Sequence, residues 1–400
     1  MRPNRVVVTG LGCLCAAGAG LESAWKTMMA GRARPAPPTK FRAEPKRPSP
    51  VFEIPGGIFR RSKISPPRPV DKMPCLEYLL SALEEALEQA GLSPEELSGR
   101  RVGVSIGTTV GCTLNDEGFY AGFRKGLEPG LDPVERFLAC NPAPFLSEAL
   151  GLRGPVCTIN NACSSGTDAV GQAREWILDG LCDLVIAGGT DELSRVTYLG
   201  FSSLLNTSER ACLPFDARRD GLNLGEGAGV LIVESRRSAA ERRAEVLAEV
   251  EGYGSSLDAY HVTAPHPEGS GLESALRRAL GDRNPAEVGF VNAHGTATDS
   301  NDKVEGRTLA RVFGPGITVV GTKPYTGHTL GAAGALEAVF TVQGLLTGCL
   351  PATLGFSEPD PECVVVPTRA ATSVARTLAV STSLAFGGHN AALLIAGPGP

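Results

Sequence analysis

The chain has 400 residues, of which 42% are hydrophobic and 20% are charged, and its formal net charge is −5. This composition is typical of a globular protein with a large core, and the sequence has no basic stripe that would favour nucleic-acid binding. The eleven cysteines form no CxxC pair, so we predict neither a zinc site nor a disulfide framework and expect a reducing cytoplasm. No run of about 18 apolar residues predicts a membrane span.

The first half of the chain alternates between short apolar runs and helical patterns. We predict strands at 6–8, 101–106, 156–159, 182–189 and 229–234. Residues 74–91 place their leucines on one face and their glutamates on the other, which predicts an amphipathic helix. Residues 32–71 are rich in proline and are predicted to run over the surface, because proline breaks both helices and central strands.

The second half repeats this rhythm. The predicted strands are at 246–251, 288–293, 317–320, 378–383 and 391–395, and the predicted helices are at 272–280 and 331–346. Alternating helices and almost continuously apolar strands indicate parallel or mixed sheets covered on both faces. The similar rhythm of the two halves suggests an internal duplication.

Residues 160–169 (NNACSSGTDA) follow a predicted strand and open a helical pattern. Cys163 therefore lies at a strand-to-helix turn, where unpaired backbone N–H groups and the helix dipole favour a thiolate. A cysteine at this place is a candidate nucleophile. A buried, unreactive thiol fits the same stretch equally well.

Three further segments place polar residues or a flexible backbone at strand ends, where open α/β sheets build their sites. They are 292–299 (NAHGTATD), 323–334 (KPYTGHTLGAAG) and 383–390 (SLAFGGHN). Taken singly, a histidine after a strand is more often structural than catalytic, and a Gly-Gly pair is usually only a turn. The histidines lack the close spacing of zinc ligands, so no metal is expected.

Together and in this order, these segments resemble the β-ketoacyl-acyl-carrier-protein synthases, elongating condensing enzymes of the thiolase superfamily. The resemblance covers nearly the whole chain, through the segments VVVTGLG (6–12), AGGTDE (187–192), PFD (214–216), GEGAG (225–229), NAHGT (292–296), GHTLGAAG (327–334) and FGGHN (386–390). Thiolases use a second cysteine near the C-terminus, and the glycine loop here carries none.

The resemblance implies a thiolase-like fold, in which two similar α/β halves form a layered αβαβα arrangement. The N-terminal half, 1–250, would carry Cys163, and the C-terminal half, 251–400, would carry His294 and His328. A homodimer is implied, or a heterodimer with a ketosynthase paralogue, formed through the strand that leads into Cys163.

The implied reaction is a decarboxylative Claisen condensation in fatty-acid or polyketide and polyene synthesis. Cys163 would hold the acyl chain as a thioester delivered by an acyl carrier protein. His294 and His328, as neutral imidazoles, would donate N–H bonds to the enolate formed when the malonyl thioester loses CO2. The backbone N–H groups of Cys163 and Phe386 would hold the tetrahedral oxyanion.

The resemblance also assigns supporting and substrate-binding residues. Lys323 and Glu337 would support the histidines, and the hydroxyls of Thr296 and Thr298 would line the pantetheine channel. Phe386, in the turn with Gly387, would be a gate, and Val110 would limit the acyl pocket. The only organic group implied is the phosphopantetheine arm of the carrier protein, with no metal.

The chain departs from the family pattern at three places: Ala385 replaces the usual glycine before the gating phenylalanine, His389 replaces a small hydroxyl residue, and 32–71 is unusually rich in proline. These departures favour a specialised pathway over a housekeeping role. A non-catalytic chain-length-factor-like subunit is an alternative, although such subunits typically lose the nucleophile that is kept here. A cysteine hydrolase is a third possibility, disfavoured by the lack of an obvious carboxylate to orient a histidine.

Overall fold

The computed structural model describes residues 5–45, 47–56, 62–65, 73–375 and 377–398. The strands within these residues are β1 (Val6–Cys15), β2 (Gly18–Ala19), β3 (Val102–Gly107), β4 (Val156–Ile159), β5 (Leu184–Asp191), β6 (Gly227–Ser235), β7 (Ala248–Leu257), β8 (Val288–Ala293), β9 (Thr318–Gly321), β10 (Cys349–Leu350), β11 (Thr372–Ser373), β12 (Leu378–Ala385) and β13 (His389–Ala396). The α-helices are α1 (Leu21–Met29), α2 (Pro74–Ala90), α3 (Pro94–Leu97), α4 (Glu117–Arg124), α5 (Asp132–Ala139), α6 (Pro142–Ala149), α7 (Ser165–Leu178), α8 (Arg195–Ser203), α9 (Arg236–Glu241), α10 (Ser270–Leu280), α11 (Asp299–Phe313), α12 (Lys323–Thr326) and α13 (Ala333–Thr347).

The strand order shows that the fold is duplicated. The main sheet runs β4-β3-β5-β6-β1-β7-β13-β12-β8-β9. In the first half β4, β3 and β5 are parallel, while β6 and β1 are antiparallel to their neighbours. The second half repeats this pattern with β9, β8, β12, β13 and β7. The predicted duplication is therefore confirmed. The boundary at residue 250 stays a prediction, and it falls within β7.

Helices cover both half-sheets and separate them. Helices α7 and α13 pack against each other between the half-sheets, with α7 on β3 and β5 and α13 on β6 and β12. Helix α2 covers the outer face of β1 and β6, and α10 covers β7 and β13. One cluster of buried apolar side chains surrounds the central helices α7 and α13, and two others lie between the outer helices and the half-sheets. This is the αβαβα order that the family resemblance implies.

Strand β1 is longer than the predicted 6–8, because its glycines serve packing and do not form a turn. A Cβ atom at Gly10 would lie 2.1 Å from the carbonyl oxygen of Ala86, and one at Gly12 would lie 1.9 Å from that of Ala82. Only glycine lets the backbone of α2 approach the strand this closely. The strand therefore continues through both glycines to Cys15.

The proline-rich segment 32–71 is anchored at its centre. In its described parts, 32–45, 47–56 and 62–65, no α-helix forms, and short bridges fix the backbone. The N–H of Phe52 donates to the carbonyl oxygen of Leu224 at 2.9 Å, and Val51 and Phe52 are buried. The surface prediction holds for most of this described part. Pro67 and Pro69 lie outside the described residues.

One segment of the described chain, Leu330–Thr347, is long and apolar enough by composition to cross a membrane, which the sequence analysis did not predict. Of this stretch 83% is buried inside the protein, because α13 lies between the two half-sheets. Its apolar character is that of a core helix enclosed by sheet on two sides.

Candidate active site

Cys163 lies in a tight turn between β4 and α7. The turn spans Ala162–Ser164, and Ala162 has a φ of 50°, in the left-handed region that a non-glycine residue adopts at a cost of about 1–2 kcal/mol. Asp168 holds the turn in place, since its carboxylate accepts hydrogen bonds from the hydroxyl of Ser164 and the hydroxyl of Tyr253, each at 2.8 Å. The strained turn is thus fixed from the first turn of α7.

The Cys163 sulfur contacts His328. Its Sγ lies 3.0 Å from Nε2 of His328, and both residues are buried. Burial raises the pKa of the Cys163 thiol to about 12, although Lys323 and the backbone N–H of Phe386 act in the opposite direction. Desolvation of the charge therefore opposes the effect of the helix N-terminus, on which the predicted thiolate rests.

His294 lies at the end of β8, directly beside His328. The two rings are nearly perpendicular, at 86°, with their centroids 5.2 Å apart. Burial is the largest cause that lowers the pKa of each histidine well below its usual value, and the nearby Lys323 adds to it. Both imidazoles are therefore neutral near pH 7 and each offers one N–H donor.

Lys323 and Glu337 form a buried pair behind His294. The Lys323 ammonium contacts Nδ1 of His294 at 3.1 Å, the backbone oxygen of the same residue, and Oε1 of Glu337 at 2.5 Å. Its three N–H donors thus meet three acceptors. Burial raises the pKa of Glu337 to about 7, and the lysine opposes that rise.

A carboxylate that the sequence analysis missed fixes the loop of His294. Glu305 in α11 accepts hydrogen bonds from the N–H groups of His294 and Gly295, each at 2.8 Å, and from the Thr382 hydroxyl at 2.7 Å. The next acidic residue on that helix face, Asp302, accepts from the N–H of Ala297. The two acids are three residues apart and share the buried face of α11, but exposed helix faces carry acids at the same spacing, so this pattern does not distinguish them from surface charges.

One cavity brings most of the predicted residues together. Its lining includes Cys163, His294, His328, Thr296, Thr298 and Phe386. The hydroxyls of Thr296 and Thr298 lie 2.9 Å apart and bond to each other. The catalytic and pantetheine-binding candidates thus share one space, with Lys323 and Glu337 behind its wall.

Phe386 closes part of this cavity with the help of Phe201, which the sequence analysis did not single out. The two rings stack with centroids 5.3 Å apart and planes at 19°, and Phe201 also meets the ring of His328 edge-on at 6.5 Å. Gly387 has a φ of 85°, which the glycine turn requires and other residues rarely adopt. The backbone N–H of Phe386 faces the Cys163 sulfur and acts to lower the pKa of its thiol.

Val110 lies elsewhere. It lines a second cavity with residues that include Phe137 and Asn160, and Cys163 does not line that cavity. Thr109, which also lines this second cavity, donates from its hydroxyl to the carbonyl oxygen of Ala162, next to Cys163, at 3.1 Å. A role for Val110 in limiting an acyl chain stays a prediction.

A buried cysteine, two neutral imidazoles and a backbone N–H that converge on one cavity in a duplicated α/β fold define an acyl-transferring enzyme of the thiolase-like class. The chain matches the model of the β-ketoacyl synthase N-terminal domain over residues 3–239 and that of the C-terminal domain over residues 247–357. The chain belongs to the β-ketoacyl synthase family.

Individual relatives agree over the full length. A protein of Staphylococcus aureus strain COL named 3-oxoacyl-[acyl-carrier-protein] synthase 2 is 35% identical, with 98% of each chain covered. A solved structure named the ishigamide ketosynthase/chain length factor matches with a TM-score of 0.89 at 32% identity, covering 99% of this chain and 100% of that one. A second solved structure is named a type II PKS acyl-carrier protein in complex with its ketosynthase bound to the hexaketide. One of its chains matches with a TM-score of 0.89 at 28% identity, and both chains are covered in full.

Proposed function

We propose that this protein is a β-ketoacyl-acyl-carrier-protein synthase that joins a malonyl unit to an acyl chain held on Cys163. The observation that carries the proposal is the 3.0 Å contact between Cys163 and His328, with the His294 ring 5.2 Å from that of His328 in the same cavity. Membership of the family makes the chain an acyltransferase of the condensing class. The roles of the individual residues are inferred from their geometry.

In the first step the acyl chain moves from the carrier to the enzyme. The Cys163 sulfur forms a bond to the thioester carbon, and the bond from that carbon to the sulfur of the pantetheine arm breaks. The proton of the thiol passes to the departing arm, and Nε2 of His328 is close enough to relay it. The N–H of Phe386, which already contacts Sγ, is placed to donate to the oxyanion.

In the second step the malonyl thioester loses CO2, and negative charge develops on its carbonyl oxygen. His294 and His328 are neutral, so their N–H groups stabilise the enolate more than they stabilise the ground state. The enolate carbon then attacks the acyl carbon on Cys163, and the cysteine leaves as a thiolate. A proton from water restores the thiol, and the product is a β-ketoacyl chain on the carrier.

The remaining assignments follow the same geometry. Lys323 and Glu337 hold His294, and Thr296 and Thr298 line the path of the pantetheine arm. We infer no metal and no organic group beyond the arm of the carrier protein. A cytoplasmic location is supported by the cysteines, all eleven of which are free thiols in the described residues.

We infer a dimer formed along β4. This strand ends the main sheet, and its Val156 side chain is exposed, so its free edge can pair with a second chain. Both a homodimer and a heterodimer with a ketosynthase paralogue fit this edge. The similarity to a structure named a ketosynthase/chain length factor supports the heterodimer as much as the homodimer.

The test uses acyl and malonyl groups loaded on an acyl carrier protein. The Cys163→Ala variant is expected to form no acyl-enzyme by mass spectrometry, and His294→Ala or His328→Ala to lose decarboxylation of the malonyl carrier. Cys349→Ala is the matched control, because this half-buried thiol on β10 lies outside the Cys163 cavity and away from β4. Condensation by Cys163→Ala at the wild-type rate would exclude the proposal.

A chain-length-factor-like subunit is the second candidate, favoured by the structural match that bears that name. Such a subunit would accept no acyl group on Cys163 and would stimulate condensation only in complex with a ketosynthase. Acylation of the isolated wild-type chain separates the two candidates, since only the condensing enzyme acquires the acyl mass.

A further inference from the structure

The imidazole of His389 has no role in the reaction proposed above. The other four histidines each use a ring nitrogen: His294 and His328 contact Lys323 and Cys163, while His261 and His266 accept backbone N–H groups. Within the part of the chain that the structure describes, neither ring nitrogen of His389 has a hydrogen-bond partner. The residue is half-buried and lines the Cys163 cavity.

The ring is held at the base of the glycine turn. His389 begins β13 and pairs with Ala385 across the hairpin and with Leu257 of β7 on its other side. The Cδ2 atom of the ring lies 3.4 Å from the place of a Cβ atom at Gly387, so the imidazole packs over that glycine. Beyond Leu257 the chain continues into residues 258–265, which supply another part of the cavity wall.

The carboxylate of Asp258 forms its hydrogen bonds with groups other than the His389 ring. Asp258 accepts hydrogen bonds from the Asn390 side chain and from the N–H of His266, each at 2.9 Å. Asp258 is the one carboxylate among the residues that line the cavity, and none of those residues is a lysine or an arginine. Outside the pair formed by His294 and His328, His389 is thus the one lining group that can carry a positive charge.

We propose that His389 binds the phosphopantetheine arm of the carrier protein by donating a hydrogen bond to an oxygen of the arm. The inference rests on the proposed function, which requires this cavity to admit that arm. Beyond the amide nearest the thioester, the arm carries a second amide carbonyl and a phosphodiester, and an imidazole can donate to either. His389 contributes to binding the arm and takes no part in forming the carbon–carbon bond, because that chemistry belongs to Cys163, His294 and His328.

The experiment compares three malonyl donors that share the reacting thioester but differ in the length of the arm. They are the malonyl carrier protein, malonyl-pantetheine, which lacks the phosphate, and malonyl-N-acetylcysteamine, which keeps one amide. The His389→Ala variant removes the donor, and His389→Gln keeps an N–H donor in a side chain of similar reach. Loss of one hydrogen bond of this kind changes an equilibrium by about tenfold.

We expect His389→Ala to raise KM for the malonyl carrier about tenfold, with kcat less affected. The factor by which KM rises for malonyl-N-acetylcysteamine should be smaller by at least about fivefold. His389→Gln should recover most of the loss. A loss that persists with malonyl-pantetheine assigns the contact to the second amide, and one that disappears assigns it to the phosphate; both support the inference. An equal loss on all three donors, or none on the carrier, overturns it. If the proposed function itself is wrong, the wild-type protein will decarboxylate none of the three.

Discussion

The Nζ atom of Lys323 lies 3.1 Å from Nδ1 of His294. An ammonium group has only donors, so Nδ1 must accept and the single proton of the neutral ring resides on Nε2. Lys323 therefore determines which nitrogen of His294 presents an N–H group. This makes the lysine a positioning residue for the imidazole beside His328.

Replacing Lys323 should separate stability from activity. Lys323→Met leaves the buried Glu337 carboxylate without its partner, and breaking a buried pair in this way typically costs about 3–5 kcal/mol of unfolding free energy. Adding Glu337→Gln should restore much of the stability, because no charge is then left unpaired. The double variant should still decarboxylate malonyl carrier at least about tenfold more slowly, as the tautomer of His294 is no longer fixed.

Urea denaturation measures the first effect, and release of CO2 from malonyl carrier measures the second. The Glu337→Gln single variant serves as the comparison, since it keeps the lysine beside Nδ1. Wild-type decarboxylation by the folded double variant would contradict the role given to Lys323.

The Cys163 thiol should react with iodoacetamide as a buried thiol with a raised pKa. Burial raises its pKa to about 12, so the thiolate fraction and the alkylation rate should rise about tenfold with each pH unit from 7 to 10. The rate is followed by mass spectrometry of the peptide that carries Cys163, with Cys157→Ala as control. A rate that levels off below pH 8 would indicate a thiolate–imidazolium pair with His328.

The sequence predicted the parts of this molecule that depend on local pattern. The strand-to-helix turn of Cys163 and the strand ends before His294 and Phe386 follow from apolar runs and glycines, and the structure has them at those places. The apolar face of 74–91 predicted α2 almost to the residue. The short helices α4, α5 and α6 were not predicted, because their amphipathic patterns are brief and partly exposed.

Contacts between residues that are far apart in the sequence could not be predicted. Glu305 looks like a surface charge of a helix, and only the fold brings its carboxylate to the N–H groups of His294 and Gly295. Phe201 lies in α8, far along the chain from the Phe386 ring on which it stacks. The pKa of Cys163 could not be inferred from its place at a helix N-terminus, because the degree of burial decides the balance of opposing effects.

Glu192 should make the stability of the protein depend on pH. Burial is the largest cause that raises its pKa to about 8, and the nearby Asp191 and Glu226 add to it. The folded state then holds a proton that the unfolded state releases above about pH 4.5. The contribution of Glu192 to the free energy of unfolding is complete below that pH, and it falls by about 1.4 kcal/mol per pH unit as the pH rises towards 8.

The variant Glu192→Gln should lack this pH dependence. Its free energy of unfolding should therefore rise relative to that of the wild type as the pH rises from 5 to 8. Urea denaturation at several pH values measures the difference. Glu241→Gln is the control, because the side chain of Glu241 is 70% exposed. Parallel curves for Glu192→Gln and the wild type would show that Glu192 is already ionised in the folded protein.

The stacked pair of Phe201 and Phe386 should protect the acyl-enzyme from water. The two rings lie 5.3 Å apart, and both line the cavity that contains Cys163. Phe201→Ala removes the stack, worth about 0.5–1.5 kcal/mol beyond the buried area, and leaves space in which Phe386 can turn and water can enter. We expect faster release of the free carboxylic acid from acyl-Cys163 when no malonyl donor is present. Phe201→Leu keeps most of the volume and should lie between the wild type and Phe201→Ala. A Phe201→Ala acyl-enzyme as long-lived as that of the wild type would show that another element excludes water from the thioester.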